Sequence, residues 1–445
     1  MARNTPLRTA DRQVFELIEG ETTRQENGLE MIPSENHSSV AVREALGSVF
    51  TDKYSEGYPG KRYYGGQEFT DKVENLAIER AKKLFGVEHV NVQPYSGSPA
   101  NHSVYFALCE PGDVVMGQSL TAGGHLTHGW KVNFSGKIYK GVQYSVRADG
   151  IIDVEEARKL ALEHRPKLIW VGATAYSREL PFDEFAKIAE EVGAYLAADI
   201  SHISGLVAGG AHKSPVPHVH IVTTTTHKTL RGPRGAMVMV TKKGIEKDPE
   251  LPSKIDKAVF PGLQGGPHDH QTAAIAVALG EALQPDFRKY AEQIVKNSRA
   301  LAKSLAENGI KVVTGGSDNH LLLIDLTPFG IGKGLYGQEA LEAAGITVNK
   351  NTIPAEPCSP FYPSGVRLGT PAITTRGMKE KEMQEVGEII SSALKIGCVH
   401  PFPEEKEKRE TAIAAAKGAI RSDKGLKKLR EETLKLCKEF PLHKK

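Results

Sequence analysis

A chain of 445 residues with 40% hydrophobic content is long enough to bury a large core and, by size, to divide into two or three domains. Its 57 Lys and Arg stand against 54 Asp and Glu, and a net charge of +3 gives no electrostatic basis for nucleic acid or membrane as the main partner. No apolar run reaches the roughly eighteen residues of a membrane span, the start from Met1 to Arg12 is polar rather than a secretory leader, and Cys109, Cys358, Cys398 and Cys437 lie too far apart for a disulfide framework or a zinc site. A cytosolic protein with reduced thiols is expected.

Residues 11 to 27 read as a helix with Val14, Leu17 and Ile18 on one side, and a second helix is expected from Ser38 or Ser39 as N-cap to Gly47. From Thr51 to Gly66 the chain is dense in Tyr and Gly, with Glu56 in its midst. Four tyrosines are costly to leave in water, so this segment is expected to be a site, a subunit contact or both. Between Glu68 and Phe85 the apolar Phe69, Val73, Leu76, Ala77 and Leu84 fall at helical spacing, and Gly86 offers a stop. His89 to Gln93 reads as a strand, followed by a turn and a helix from Ala100 to Leu108. Ser96, Gly97 and Ser98 at that helix start either form a plain cap or leave backbone N–H groups free for a phosphate.

Strands near Val114, at Leu168 to Val171 and at Ala194 to Ala198 alternate with helices at Val154 to Leu162 and Asp183 to Val192. This alternation predicts an α/β fold with a mainly parallel sheet wrapped by helices, whose ligands sit at the carboxyl ends of the strands. Asp199 lies at such an end, and His202 follows one turn later. The run from Thr223 to Gly235 ends in Lys228, a Gly-Pro turn and the apolar strand Ala236 to Val240, and so presents an ammonium at a strand end. A Schiff-base lysine needs roughly three units of pKa depression, about 4 kcal/mol, which desolvation and cations such as Arg231, Arg234 or a protonated His227 would supply. His218 and His220 alternate on a strand with no third ligand spaced nearby, so no metal is expected. A glycine-rich loop at Phe260 to Pro267 leads to a small-residue helix, Ala273 to Leu283. A long helix, Phe287 to Asn308, then leads into a second domain with strands at Lys311 to Val313, His320 to Leu326 and Val366 to Leu368, and helices at Gly337 to Ala344 and Lys379 to Leu394. The last forty or so residues, dense in Lys and Glu, are expected to form exposed helices.

Five stretches together, Pro33 to Asn36, Tyr54 to Gly66, Gly123 to Gly129, the Thr-His-Lys run at Lys228, and Gln264 to Pro267, resemble serine hydroxymethyltransferase, from about residue 10 to about residue 400. The resemblance implies the aspartate aminotransferase-like fold, pyridoxal-phosphate fold type I. Its large domain would carry a mainly parallel seven-stranded sheet at residues 51–285, after an N-terminal helical arm at 1–50 and before a smaller α+β C-terminal domain at 286–445 with a charged helical tail. It further implies that Lys228 forms the internal aldimine with pyridoxal phosphate and that Ser96, Gly97 and Ser98 hold the phosphate, joined by Gly265 and Gly266 from a neighbouring subunit. His125 would stack on the ring, Asp199 pair with the ring nitrogen, and His202 and Thr174 contact its 3′ oxygen side. Arg367 would grip the amino-acid carboxylate with help from Ser34, Tyr64 and His202. Tyr54, Glu56 and Tyr64 would reach in from the partner of a homodimer or dimer of dimers. Leu120, Gly124, Leu126, Asn351 and Glu56 would line the folate site.

Lys228, Glu56, Tyr64, His227 and Thr225 are thus implied in the chemistry, with Glu56 the proton shuttle because a carboxyl shielded among tyrosines has a raised pKa. Serine would displace Lys228, and through an external aldimine and a quinonoid its one-carbon unit would pass to tetrahydrofolate, leaving glycine. Ala122 replaces a polar residue before the two glycines, so the carrier is tetrahydrofolate or a modified folate. Two alternatives stay open: a folate-independent, threonine-aldolase-like lyase acting on 3-hydroxy amino acids, and a non-catalytic protein binding RNA or another chain through the basic stretch Lys424 to Lys445.

Overall fold

The computed structural model describes residues 5–403 and 405–442; the ends of the polar start and of the basic tail, residues 1–4 and 443–445, lie outside the described residues. Seven strands build the central sheet: β1 (His89–Asn91), β2 (Val114–Gln118), β3 (Lys140–Tyr144), β4 (Leu168–Val171), β5 (Tyr195–Asp199), β6 (Ile221–Thr225) and β7 (Ala236–Val240). Their spatial order is β1-β7-β6-β5-β4-β2-β3. β7 runs antiparallel to both its neighbours, and every other neighbouring pair is parallel, in agreement with the expected α/β class. β4, β6 and β7 are buried along their whole length, which is why they read as unbroken apolar or β-branched runs. The threonines of β6 are tolerated there because their hydroxyls are satisfied: Thr223 donates to Asn101 Oδ1 at 2.7 Å and Thr224 to the Thr225 carbonyl at 2.8 Å. β3 was not foreseen; it is an edge strand, exposed at its start and buried only at Tyr144, and its sequence carries no alternation.

Helix boundaries follow local chemistry closely. α1 spans Arg12–Glu26, and α2 spans Glu68–Phe85 and ends at Gly86 in the left-handed conformation, φ 69°. The buried face of α2 differs from the expected one. Phe69 and Leu76 are exposed, and the inward stripe is Thr70, Glu74, Ala77, Ala81 and Phe85. The reason is close packing against the small-residue helix Asp269–Ala282, which also starts earlier than expected; alanines fit there and large side chains turn outward. Glu74 is tolerated inside because Arg62 meets it at 2.6 Å and Gln93 at 2.8 Å.

A second core forms on an antiparallel sheet of β8 (Lys311–Val312), β9 (Leu321–Asp325), β10 (Asn349–Asn351) and β11 (Gly365–Gly369), in the order β8-β9-β11-β10. Leu322, Ile324, Val366 and Leu368 pack there against Tyr336, Ile390 and Leu394. Leu29–Glu30 pairs in parallel with Ile346–Thr347, so Leu29 and Met31 belong to this core. α1 itself buries nothing: Val14, Leu17 and Ile18 lie open to solvent in the single chain. The charged C-terminal helices, Arg409–Ser422 and Lys424–Glu439, are less exposed than expected, since Ile413, Ala416, Ile420, Leu426, Leu436 and Cys437 join the second core. Among the described residues no helix is long and apolar enough to cross a membrane.

One guanidinium fastens the two ends of this core. Arg376, 4% exposed, donates to the carbonyls of Gln25, Glu26 and Gly28 at 2.9–3.1 Å and to those of Cys437 and Phe440 at 3.0 and 2.9 Å. Arg376→Met leaves five acceptors without a donor and is expected to cost about 3 kcal/mol or more, read as a lowered midpoint in denaturant unfolding.

Candidate active site

The parallel strands deliver their carboxyl ends to one edge of the sheet, and the loops leaving them line a cavity of 180 Å³. Ser96, Gly97 and Ser98 come from the loop after β1, His125 and His128 from that after β2, Ala173 and Thr174 from after β4, Asp199, Ser201 and His202 from the end of β5, and Thr225, His227, Lys228 and Arg234 from after β6. Gly97 opens the helix Gly97–Leu108, α3, with Ser96 at its N-cap position making no side-chain cap, so the helix start is left to bind an anion. A Cβ on Gly97 would lie 2.7 Å from Thr225 Cγ2, so only glycine lets the helix come this close to β6.

Charge at the floor of the cavity is set by two groups. Asp199 is buried, and burial alone would raise it; the hydrogen bond from His128, with that from the Ser201 N–H, instead holds it well below the usual carboxylate range. Its Oδ2 takes Asn101 Nδ2 at 2.9 Å and His128 Nε2 at 3.2 Å, and its Oδ1 takes the Ser201 N–H at 3.0 Å. His128 stacks on the buried Trp170, 5.3 Å between centroids and 7° between planes. Lys228 is pushed down to about 8 by burial, against the pull of Asp199 and helped by Arg367 and Arg234.

Two expected sources of that depression fall away. His227 is held at about 3 by burial, then by Lys228 and Arg234, so it is neutral and adds no cation. Arg231 turns away and lies 4.3 Å over the Tyr290 ring. His125 is also neutral, held at about 4 chiefly by burial; its Nδ1 takes the Thr127 hydroxyl at 2.7 Å and the Thr127 N–H at 3.3 Å, which leaves the proton on Nε2.

Beside the cavity, Arg367 on β11 donates Nε to Asn349 Oδ1 at 3.0 Å and Nη1 to the Thr174 carbonyl. Among the described residues it has no carboxylate partner, and burial lowers it to about 10, still cationic at neutral pH. Ser34 lies on the segment that abuts the end of β11, where the Gly369 N–H bonds the Met31 carbonyl at 2.8 Å. The Thr174 hydroxyl is turned to the Gly124 carbonyl at 3.0 Å. Leu120, Gly124 and Leu126 stand on the loop after β2, and Asn351 at the end of β10 adjoins that loop through Thr352 Oγ1, which donates to the Thr121 carbonyl at 3.1 Å.

Ser34, Leu120, Gly124, Leu126, Asn351 and Arg367 are outside the lining of this cavity, and so are Tyr54, Glu56, Tyr64, Gly265 and Gly266, which group with one another. Tyr54 and Tyr64 meet the two oxygens of Glu56 at 3.4 and 3.3 Å, and Gly265 and Gly266 sit against Glu56 and Tyr54. This cluster forms a surface of its own, with Tyr54 56% and Tyr64 48% exposed. Glu56 between them is half-buried in the single chain.

The residues that sequence reasoning passed over are those supporting the site from behind: Asn101 and His128 under Asp199, and Asn36, whose Nδ2 donates to the Lys228 carbonyl at 3.0 Å. Asn36 and His128 both stand in the stretches that carried the family resemblance, but nothing local shows what they touch.

A helix start open to phosphate, an ionised carboxylate and a lysine freed of much of its proton affinity, all at the carboxyl edge of a largely parallel sheet, define a pyridoxal-phosphate-dependent enzyme of the α/β type. A family model described as serine hydroxymethyltransferase matches residues 7–390. A protein named serine hydroxymethyltransferase from Acidothermus cellulolyticus is 57% identical over 381 residues, covering 85% of this chain and 87% of that protein. The chain belongs to the serine hydroxymethyltransferase family. Its cofactor is pyridoxal phosphate and its co-substrate tetrahydrofolate.

Only the neutral amine attacks an aldehyde, so condensation of pyridoxal phosphate with the protein freed of cofactor is expected to speed up tenfold per pH unit up to about 8 and then level off. A rate still climbing at pH 10, followed by absorbance, would mean an ordinary lysine.

Proposed function

We propose that the residues gathered at this cavity carry the family's reaction in the roles their geometry allows. The enzyme moves the hydroxymethyl group of serine to tetrahydrofolate, reversibly, leaving glycine and 5,10-methylenetetrahydrofolate. Pyridoxal phosphate, when bound, supplies the electron sink for the bond that breaks at the amino acid's α-carbon. The observation that carries the reading is the joint lining of one cavity by Lys228, Asp199 and the open start of α3.

Lys228 would hold the cofactor covalently and, with a pKa near neutrality, take and return a proton. The N–H groups of Gly97 and Ser98 with the hydroxyls of Ser96 and Ser98 would hold its phosphate. Asp199, kept ionised by its three donors, would bind the protonated ring nitrogen. His125 would cover the ring face, Thr174 and His202 its oxygen side, and Thr225 would take part in the chemistry. Arg367, a buried cation lacking a carboxylate, would take that of the amino acid, with Ser34 alongside. The neighbourhood of Leu120, Gly124, Leu126 and Asn351 supports the pterin site, and His227 a role in choosing the substrate. The separate cluster of Tyr54, Glu56, Tyr64, Gly265 and Gly266, together with the bare apolar side of α1, supports a homodimer or dimer of dimers in which these residues complete the partner's cavity. The cytoplasm is the compartment that four free thiols favour.

Lys228→Ala is expected to abolish the visible band of the bound cofactor, and an unchanged spectrum would refute its role. Arg367→Ala is expected to weaken serine binding by roughly 2–5 kcal/mol through an unpaired carboxylate, seen as a raised KM. If the sites are shared, co-expressing Lys228→Ala with Glu56→Gln restores about a quarter of wild-type activity, because half the randomly mixed dimers carry one intact site; activity no higher than either parent would place Glu56 in its own chain's site.

A further inference from the structure

His202 and His320 come from different cores. His202 follows β5 of the large sheet, and His320 immediately precedes β9 of the second. Both are buried, 5% and 0% exposed, with His202 Nδ1 3.2 Å from His320 Nε2 and their ring planes 28° apart. Burial, then the cations Lys228 and Arg367, holds both neutral, His320 at about 3 and His202 well below its ordinary value. Two neutral rings joined by one hydrogen bond share a single proton, and two arrangements are possible. If His202 donated, His320 would carry its own proton on Nδ1, and Nδ1 is sealed from solvent without a partner. A buried N–H without an acceptor is the rarer and costlier orphan. If His320 donates from Nε2, its Nδ1 is a bare acceptor, and His202 must carry its proton on Nε2. That nitrogen is not among the sealed ones, and His202 lines the cavity.

We propose that His320 is a positioning residue that, by donating Nε2–H to His202 Nδ1, fixes His202 as an Nε2–H donor aimed into the cavity at a negatively charged oxygen of the bound cofactor or substrate. The identity of that acceptor rests on the proposed function; the proton arrangement does not.

The test begins with the wild-type protein labelled with ring-15N histidine and freed of cofactor, with the His202 signals assigned by their loss in His202→Asn. His202 is expected to show a bare Nδ1 and a protonated Nε2, and a protonated Nδ1 would overturn the proposal. His320→Gln, whose carboxamide keeps a donor near Nε2, preserves that tautomer, whereas His320→Leu, checked for folding by circular dichroism, lets the other appear. In His320→Leu the dissociation constant for pyridoxal phosphate rises about tenfold, the loss of one hydrogen bond to a charged acceptor, and the same change adds nothing in a His202→Asn background. Wild-type affinity and tautomer in His320→Leu would refute the relay. A wild-type protein that fails to bind pyridoxal phosphate would sink the proposed function and leave the tautomer result standing.

Discussion

Everything at the centre of this molecule depends on one ionised carboxylate kept buried beside a lysine. Asp199 stays charged because Asn101, His128 and the Ser201 backbone give it three hydrogen bonds, and such a charge would be prohibitive without them. Its field draws the Lys228 proton on while burial and two arginines push it off. The balance leaves the amine lowered to about 8, near neutral pH. The histidines around it contribute by staying neutral. His125, His202, His227 and His320 are all held below the ordinary histidine value by burial, so none competes with Lys228 for the role of cation.

The fold supplies this arrangement through topology more than through any single contact. Six strands pointing the same way bring loops that are far apart in sequence to one edge, and a sheet of this kind offers its ligand sites there. The second core then brings Arg367 and His320 up to the same edge from the other side. The lining of the cavity itself comes from loops of the large sheet, and Arg367 and His320 of the second core meet two of its residues, Thr174 and His202, from outside.

Much of this was legible in the sequence where the determinants are local. Gly86 fixes the end of α2, the unbroken Leu168–Val171 run can only be a strand buried on both faces, and Asp199 and Lys228 follow apolar or β-branched runs that mark the sheet's carboxyl edge. What stayed hidden depends on distance. The inward face of α2 is chosen by the alanines of a helix two hundred residues away, so hydrophobicity alone pointed to Phe69 and Leu76. Asn101 and Asn36 look like ordinary polar residues until Asp199 and the Lys228 carbonyl arrive beside them. Cationic help for Lys228 was sought in its sequence neighbours, whereas the larger part comes from Arg367, brought in by the second core.

The parallel pairing of Leu29–Glu30 with Ile346–Thr347 bears on how the chain is made. A ribosome adding 5–20 residues per second needs roughly 15–60 s to travel from one strand to the other. For that interval Leu29 and Met31 have no core to enter, and the carbonyls that Arg376 will gather are still waiting for it. The large sheet can assemble while the first thirty residues of the chain wait for their partners, which makes the amino-terminal segment among the last parts of the nascent protein to settle.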